Sequence, residues 1–187
     1  MIMKKILSIF AALAFAALCI SCQKGDGDAE YGNILVYIPQ AMTNGSIDNV
    51  YAVPGGEAER TYNFKESGDV VNVFLGVYRS GKIDAKEVTV SVAVDDAESQ
   101  AQAASLGAAV MPSSLYTLPS SAKVEAGKNS TTFYLALSKA ALKDAANAGK
   151  TYVLCVRISN PSNYELNEDA SVVVVKLDVD ALNNLVG

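Results

Sequence analysis

The sequence predicts an all-β domain, an antiparallel β-sandwich with one or two short helices inserted between strands. Three observations predict it. Apolar and polar residues alternate with a period of two through most of the chain after residue 33. Turn-forming pairs such as Asn44-Gly45 and Ser80-Gly81 separate the alternating runs. Helical stretches are too few and too short to build a layer of their own, which disfavours alternating strands and helices.

About ten runs have the alternation of a strand. In residues 87–94 the four valines at even positions share one face, while Thr89, Ser91 and Ala93 share the other. One face is therefore buried and the other solvated, as in an antiparallel sheet. The predicted strands are residues 34–38, 50–53, 61–64, 70–78, 87–94, 115–118, 123–126, 131–137, 152–158 and 171–179.

Two stretches interrupt the strand pattern. Residues 97–109 are rich in alanine and follow Asp96, which we expect to be the N-cap of a short helix. Residues 138–148 begin with Ser138 as a second N-cap and are followed by Gly149, a residue typical of a helix end. Both helices are expected to lie in connections between strands.

The first residues have the pattern of a signal peptide. Lys4 and Lys5 precede an apolar run, residues 6–18, that is shorter than the roughly 18 apolar residues of a spanning helix. The run ends in Leu18-Cys19-Ile20-Ser21-Cys22, which resembles a bacterial lipobox. The resemblance implies that residues 1–21 are removed and that Cys22 is lipidated. The alternative is an ordinary secreted protein that is cut near Ser21.

The sequence predicts three further segments after the signal peptide. Residues 22–32 are the lipidated cysteine and a polar, acidic, glycine-rich stretch that we expect to be a flexible tether. Residues 33–180 are the sandwich, and residues 181–187 are a C-terminal tail. The tether also resembles the acidic export signal of surface lipoproteins of the Bacteroidota, which implies an outer-membrane anchor and a surface location. A plain solvated linker is the alternative.

Composition excludes several classes of function. The chain has no histidine, so it has no histidine general base, no Ser-His or Cys-His pair and no histidine-containing zinc or haem site. With 15 basic and 20 acidic side chains, its net charge of −5 argues against a nucleic-acid partner. Once the signal peptide is removed and Cys22 carries lipid, Cys155 is left without a disulfide partner. No cofactor is expected.

The order of several motifs resembles domain of unknown function family 1735, the N-terminal domain of Bacteroidota surface lipoproteins. The resemblance covers about residues 33–180. It is carried by Tyr37-Ile38-Pro39-Gln40-Ala41, residues 70–76, Val77-Tyr78-Arg79-Ser80-Gly81, Val94-Asp95, residues 111–119, Val124-Glu125-Ala126-Gly127-Lys128, Thr151-Tyr152-Val153-Leu154 and Arg157-Ile158-Ser159.

A second resemblance is to Calx-beta modules, which are immunoglobulin-like sandwiches. It rests on residues 124–137 and on the segment 158–164. Both resemblances imply an immunoglobulin-like antiparallel β-sandwich. Members of the first family commonly continue into a lectin-like or glycoside-hydrolase domain and are associated with glycan capture at the cell surface. In such proteins, the part that recognises or cleaves sugar is expected to lie in the second domain. This sequence ends at Gly187, soon after the first domain.

The candidate ligand-binding residues are tyrosines at strand ends or on the face opposite the predicted core: Tyr78, Tyr116, Tyr134 and Tyr164. An exposed ring could stack on a sugar or a protein partner, although tyrosine in a strand also serves as half-buried sheet packing. Asp95, Asp96 and Glu98 are weak candidates for a calcium site, because calcium requires six to eight oxygen ligands and these three acids supply only part of them.

These observations predict a lipid-anchored surface protein without catalytic activity that binds a glycan or serves a polysaccharide-capture system. Its partners would be the membrane, through the lipid, and a glycan or a surface protein. The alternative is an adhesin-like or structural module that docks on another protein, through an open sheet edge among other routes.

Overall fold

The computed structural model describes residues 33–43, 46–81 and 85–187. Their strands form two six-stranded sheets packed face to face and a separate two-stranded sheet of Met42–Thr43 and Ser46–Ile47. The predicted immunoglobulin-like sandwich is confirmed, with three short α-helices where one or two were predicted. The predicted signal peptide, Cys22 and the tether lie outside the described residues. The strands are, in chain order, β1 (Leu35–Tyr37), β2 (Met42–Thr43), β3 (Ser46–Ile47), β4 (Val50–Val53), β5 (Phe64–Ser67), β6 (Val70–Arg79), β7 (Val88–Val94), β8 (Ala109–Val110), β9 (Tyr116–Thr117), β10 (Ser121–Val124), β11 (Ser130–Ser138), β12 (Thr151–Ser159), β13 (Glu165–Leu166) and β14 (Val172–Asp178).

Sheet 1 has the strand order β13-β1-β6-β11-β9, and β5 also pairs with β6. Its centre is the antiparallel pair β6 and β11, which runs in register from Ser130 opposite Tyr78 to Ser138 opposite Val70. Successive side chains on a strand point to opposite faces. The odd-numbered residues of both strands therefore point into the core, and the even-numbered residues point outward.

Sheet 2 has the order β10-β7-β12-β14-β4, and β8 pairs with one end of β12. Most neighbours are antiparallel, as predicted. The pairs β1 with β13, β8 with β12 and β4 with β14 are parallel. In each of these pairs the two strands are far apart in the sequence. No tight hairpin turn joins them, so an antiparallel direction is not required.

The core lies between the two sheets and is built from valine and leucine. Leu75, Leu135 and Leu137 of sheet 1 are fully buried, and they face Leu154 and Val173 of sheet 2 within one apolar cluster. β-branched residues dominate these strands because their stiff side chains pack well on a pleated surface. Burial of this cluster is the main stabilising contribution to the domain.

Three short α-helices complete the fold: α1 (Asp96–Ser105), α2 (Lys139–Leu142) and α3 (Val179–Asn183). Helix α1 begins at Asp95, whose carboxylate accepts a hydrogen bond from the Glu98 amide at 3.0 Å. The N-cap is therefore Asp95. Asp96, the next residue, was predicted from the sequence, and that prediction is wrong. The helix ends before the predicted residue 109, because Gly107 takes a φ of 61° and turns the chain back towards the sheet.

Helix α1 packs on the outer face of sheet 2. Ala103 lies against Val153 and Cys155 of β12 in a second apolar cluster. The buried Ser99 hydroxyl donates to the Asp95 carbonyl at 2.7 Å and accepts from the Cys155 amide at 2.8 Å. The strands beneath the helix are therefore buried on both faces. Burial also raises the pKa of the Cys155 thiol to about 11, so this free cysteine stays protonated at neutral pH.

The second predicted helix, residues 138–148, is divided into two pieces. Ser138 caps α2 as predicted, by accepting a hydrogen bond from the Ala141 amide at 3.3 Å. Asp144 then caps a separate 3-10 helix, Ala145–Asn147, by accepting from the Ala146 amide at 2.8 Å. The local bond of the aspartate competes with helix continuation, which is why the longer helix does not form.

The C-terminal residues pack on the sandwich. Helix α3 follows β14 directly, with the Asp178 carboxylate as its N-cap. Leu182 and Val186 are buried in the main core. The predicted boundary at residue 180 falls inside this helix, so residues 181–187 belong to the packed domain and do not form a separate tail.

The predicted strand at residues 61–64 is displaced. A 3-10 helix, Glu59–Thr61, takes its first part, and the strand β5 begins only at Phe64. The Thr61 hydroxyl accepts hydrogen bonds from the Glu57 and Ala58 amides at 3.1 and 3.0 Å, which closes a local turn where alternation suggested extension. The two-residue strands β2, β3, β8 and β13 were not predicted, because two residues are too few to show alternation.

Candidate functional site

The two sheets differ in what covers their outer faces. Helix α1 covers sheet 2. In sheet 1, the 3-10 helix Pro39–Ala41 lies against Gly76 of β6, whereas Tyr134 on β11 is 36% exposed. The outer face of sheet 1, here called the open face, is therefore accessible around Tyr134.

Two pairs of aromatic rings lie on the open face. Tyr37 and Tyr78, opposite each other on β1 and β6, have ring centroids 5.3 Å apart. Phe74 and Tyr134, opposite each other on β6 and β11, have centroids 5.8 Å apart. Tilted contacts at these distances are favourable for aromatic rings. Burial, and to a smaller degree the nearby Tyr78, raises the pKa of Tyr37, so its hydroxyl is neutral at physiological pH.

Gly76 lies between the two ring pairs on the same face of β6. A Cβ at this position would lie 3.6 Å from the Pro39 ring and 3.1 Å from the Thr131 carbonyl oxygen. The missing side chain lets the proline ring approach the strand. An apolar surface made of three kinds of ring therefore extends along β6 on the open face.

A groove of about 580 Å³ lies beside Tyr134, between β11 on one side and, on the other, β10 together with the segment that connects β9 to it. Its lining combines an aromatic ring with hydroxyl and amide groups: Asn72, Thr117, Leu118, Pro119, Ser121, Ala122, Lys123, Thr131, Thr132, Phe133, Tyr134 and Ala136. Lys123 is the charged member of this lining, and its ammonium is paired with Glu87 at 2.8 Å and Glu125 at 3.2 Å. The lining contains no acidic side chain.

One edge of β11 opens into the groove. Strand β6 pairs with β11 along its whole length, but β9 pairs only with Ala136 and Leu137. The backbone amides of an antiparallel strand alternate between its two neighbours. Since Ala136 bonds to β9, the even-numbered Thr132 and Tyr134 also direct their amide and carbonyl groups to this side. Among the described residues, no strand pairs with them there.

The structure brings two of the four predicted tyrosines to this site, Tyr78 and Tyr134. Tyr116 is half-buried against the inner core, and burial, followed by the negative charge of Asp96, raises its pKa. Tyr164 lies at the opposite edge of sheet 1, where its hydroxyl accepts a hydrogen bond from the Lys86 amide at 2.6 Å. Its ring lies 5.7 Å from the guanidinium of the buried Arg79. The four rings therefore do not form one surface.

The acidic residues Asp95, Asp96 and Glu98 stabilise helix α1 and its contact with β12. Asp95 caps helix α1 and binds the Arg157 guanidinium at 2.7 Å. Asp96 and Glu98 lie in the first turn of that helix, where negative charge is favourable. Within residues 33–43, 46–81 and 85–187, no group of three or more acidic or cysteine side chains is placed to hold a metal ion.

We expect replacement of Asp95 by alanine to lower the free energy of unfolding by about 1–2 kcal/mol at pH 7, through loss of the N-cap. The Glu98 amide and then Arg157 hold the pKa of Asp95 below its usual range. Stability from such a carboxylate is present above its unfolded pKa of about 4 and is lost as the pH falls through the lower folded value.

Urea unfolding of both proteins at pH 7 and near pH 2 measures this difference, which should shrink in acid. The exposed neighbour Asp96, changed to alanine, is the control and should cost about 0.5 kcal/mol or less. An equal loss for Asp95→Ala at both pH values would contradict the linkage.

Sequence reasoning missed Phe74, Asn72 and Lys65. Alternation in residues 70–78 was sufficient to place Phe74 and Asn72 outward, next to Tyr78, but only tyrosines were considered as ligand contacts. Lys65 had no signal, because the strand that carries it was displaced in the prediction. Its ammonium lies 5.4 Å from the centre of the Tyr134 ring.

Comparison with known proteins agrees with this fold. A multidomain protein that includes DUF1735, from Bacteroides ovatus, has a TM-score of 0.53 and 15% identity, over 76% of this chain and 44% of that one. A "putative carbohydrate binding protein" from the same species has a TM-score of 0.50 and 18% identity, over 77% and 36%. At these identities the likeness shows the fold alone, and the chain spans less than half of either protein.

An apo Calx CBD1 domain has a TM-score of 0.47 and 12% identity, over 78% of this chain and 96% of that one. No curated protein matches the chain. The described residues contain no helix of the length and apolarity needed to cross a membrane. A family model described as a "-like, N-terminal domain" matches residues 31–165. The chain thus belongs to this family of N-terminal domains, and it shares its fold with the Bacteroides protein that includes DUF1735.

Proposed function

We propose that this protein is a non-catalytic, lipid-anchored surface protein that binds a glycan on the open face of sheet 1. The observation that carries the proposal is the exposed Tyr134 ring at the rim of a groove lined with hydroxyl and amide groups. Sugars present apolar C–H faces to aromatic rings and hydroxyls to polar groups, and sites for small ligands combine both features.

The chemistry of the groove supports binding without cleavage. Glycoside hydrolysis uses a pair of carboxyl groups on either side of the scissile bond. The groove beside Tyr134 has no acidic lining residue. The chain also lacks histidine, so that class of general base is absent. A ligand in this groove would be held and presented, which suits an accessory part in polysaccharide capture.

Anchoring by lipid on Cys22 is the second part of the proposal. It rests on the charged and apolar pattern of residues 1–21 and on the lipobox-like sequence that ends at Cys22. More than one acyl chain makes membrane attachment stable. The polar residues that follow would hold the sandwich away from the outer membrane, with the groove exposed to polysaccharide.

The glycan proposal is tested with the full chain, purified in mild detergent and titrated with a panel of neutral and acidic oligosaccharides. We expect millimolar or tighter binding to at least one of them, about tenfold weaker in Tyr134→Ala and largely retained in Tyr134→Phe, which keeps the ring. Val110→Ala, which trims another exposed apolar residue on sheet 2, is the matched control and should bind as the wild type does. Absence of binding to the whole panel, or equal binding by Tyr134→Ala, would overturn the proposal.

A protein partner is the second candidate function. The free amide and carbonyl groups of Thr132 and Tyr134 on β11 are the feature that favours it, because an extended segment could add to the sheet there. Thr132→Pro would remove one donor on that edge and leave the Tyr134 ring in place. Glycan binding that survives this change but is lost in Tyr134→Ala would favour the sugar. Binding of an extended peptide that is lost in Thr132→Pro but kept in Tyr134→Ala would favour the peptide edge.

A further inference from the structure

A row of outward-facing side chains crosses the open face next to the Tyr134 ring. Lys65 on β5 is opposite Asn72 on β6, Asn72 is opposite Ala136 on β11, and Ala136 is opposite Thr117 on β9. Neighbouring strands are about 4.8 Å apart, so the row is about 15 Å long. Because the Ala136 side chain is small, the surface is recessed at that point of the row, which runs from Lys65 to Thr117.

The charge of Lys65 is not compensated within the described residues. No carboxylate there forms an ion pair with it, and its contact is with the Tyr134 ring at 5.4 Å. Two other lysines nearby do form ion pairs. Lys123 is held by Glu87 and Glu125, and Lys139 is held by Glu66. Lys65 is therefore a cation that an incoming ligand can engage without breaking an ion pair.

The surroundings of Lys65 favour an anion. The protein as a whole carries a net charge of −5, yet the groove has no acidic lining residue. Asn72, directly opposite Lys65, adds an amide that can donate a hydrogen bond. A groove without acidic lining side chains, with the Lys65 ammonium over the Tyr134 ring at its rim, is complementary to a ligand with a carboxylate or sulfate group.

We infer that the glycan bound on the open face is anionic, with a uronate carboxylate or a sulfate group placed against Lys65 and Asn72 while its sugar ring contacts Tyr134. This inference rests on the proposed glycan-binding function. The Lys65 ammonium lies over the Tyr134 ring, 5.4 Å from its centre, so it is placed beside any ligand that contacts the edge of this ring. A sugar that contacts this ring therefore has its substituents within reach of Lys65.

The test compares each acidic glycan with its own neutral form. The full chain in mild detergent is titrated with oligomers of polygalacturonate, alginate and hyaluronate, and with the same oligomers after reduction of their carboxyl groups to alcohols; heparin oligomers, with and without their sulfates, complete the panel. We expect at least one acidic member to bind about threefold or more tightly than its neutral form. The preference should shrink between about 20 mM and 500 mM salt.

Two variants assign the preference to a residue. Lys65→Gln keeps most of the side-chain length and should bind the acidic and neutral forms equally. Lys150→Gln, which removes an exposed lysine at the start of β12, is the control and should keep the preference. Equal binding of acidic and neutral forms by the wild type, or a preference that persists in Lys65→Gln, would overturn the inference and leave the glycan proposal standing. Failure of every glycan to bind would overturn both.

Discussion

Replacing Leu135 by alanine is expected to lower the free energy of unfolding by about 3 kcal/mol, because it empties a fully buried site between the two sheets. Leu135 lies on the central strand β11 and belongs to the main apolar cluster. The surrounding strands are held by their hydrogen-bonded ladders and cannot close the space completely. Urea unfolding followed by circular dichroism measures the loss.

The adjacent residue provides the matched comparison. Tyr134 points to the open face, so Tyr134→Ala removes a larger side chain from the same strand yet should cost about 1 kcal/mol or less, through its partial contact with Phe74. Equal losses at the two positions would contradict the assignment of inner and outer faces. A small loss at Tyr134 also means that any effect of this variant on binding is not an effect on folding.

Replacing Ala103 by aspartate is expected to cost at least about 3 kcal/mol, or to detach helix α1 from sheet 2. Ala103 is 3% exposed and packs on Val153 and Cys155, so the new carboxylate would be buried without a partner. The measurements are urea unfolding and the reactivity of the Cys155 thiol, which becomes accessible if the helix lifts.

The next residue of the same helix is the control for this prediction. Ala104 is exposed, so Ala104→Asp makes the same change in helix propensity and in charge near the helix end without burying the carboxylate. It should cost about 1 kcal/mol or less and leave Cys155 protected. A similar cost at both positions would show that α1 does not cover the sheet, and then sheet 2 would offer a second accessible face.

The asymmetry between the two sheets supports the proposal that the ligand binds on the open face of sheet 1. Sheet 2 is buried on both sides where α1 lies, and its valine-rich strands β12 and β14 have few polar side chains in that region. Sheet 1 keeps polar and aromatic residues outward on β6 and β11. The helix that covers sheet 2 lies in the connection between β7 and β8. The outward side chains of β11 in sheet 1 have no such cover among the described residues.

Alternation predicted the long strands well, because a half-buried strand repeats its pattern over seven or more residues. β6, β7, β11, β12 and β14 all lie within two residues of their predicted bounds. Short elements escaped the prediction where a side chain decides the backbone. Thr61 closes a turn in place of a strand, and Asp144 divides a helix. These side-chain hydrogen bonds depend on the local backbone conformation. The alternation of apolar and polar residues carries no information about that conformation.

The candidate site was predictable only in part. Tyr78 and Tyr134 were singled out from the sequence because they lie opposite the predicted core face, and both lie on the open face. The partnership of Lys65 with Tyr134 required the pairing of β5 with β6, and the groove required the position of the segment between β9 and β10. These depend on pairing between distant strands, which one sequence does not specify.

The central claim is that the open face of sheet 1 is the ligand-binding surface. Its most direct test is an NMR titration that follows the backbone amides of the full chain in detergent as the tightest-binding oligosaccharide of the panel is added. We predict shifts in three segments: residues 72–78 of β6, residues 130–136 of β11 and residues 117–123 that line the groove. Shifts concentrated on helix α1 and the outer face of β12, with residues 130–136 unchanged, would contradict the account.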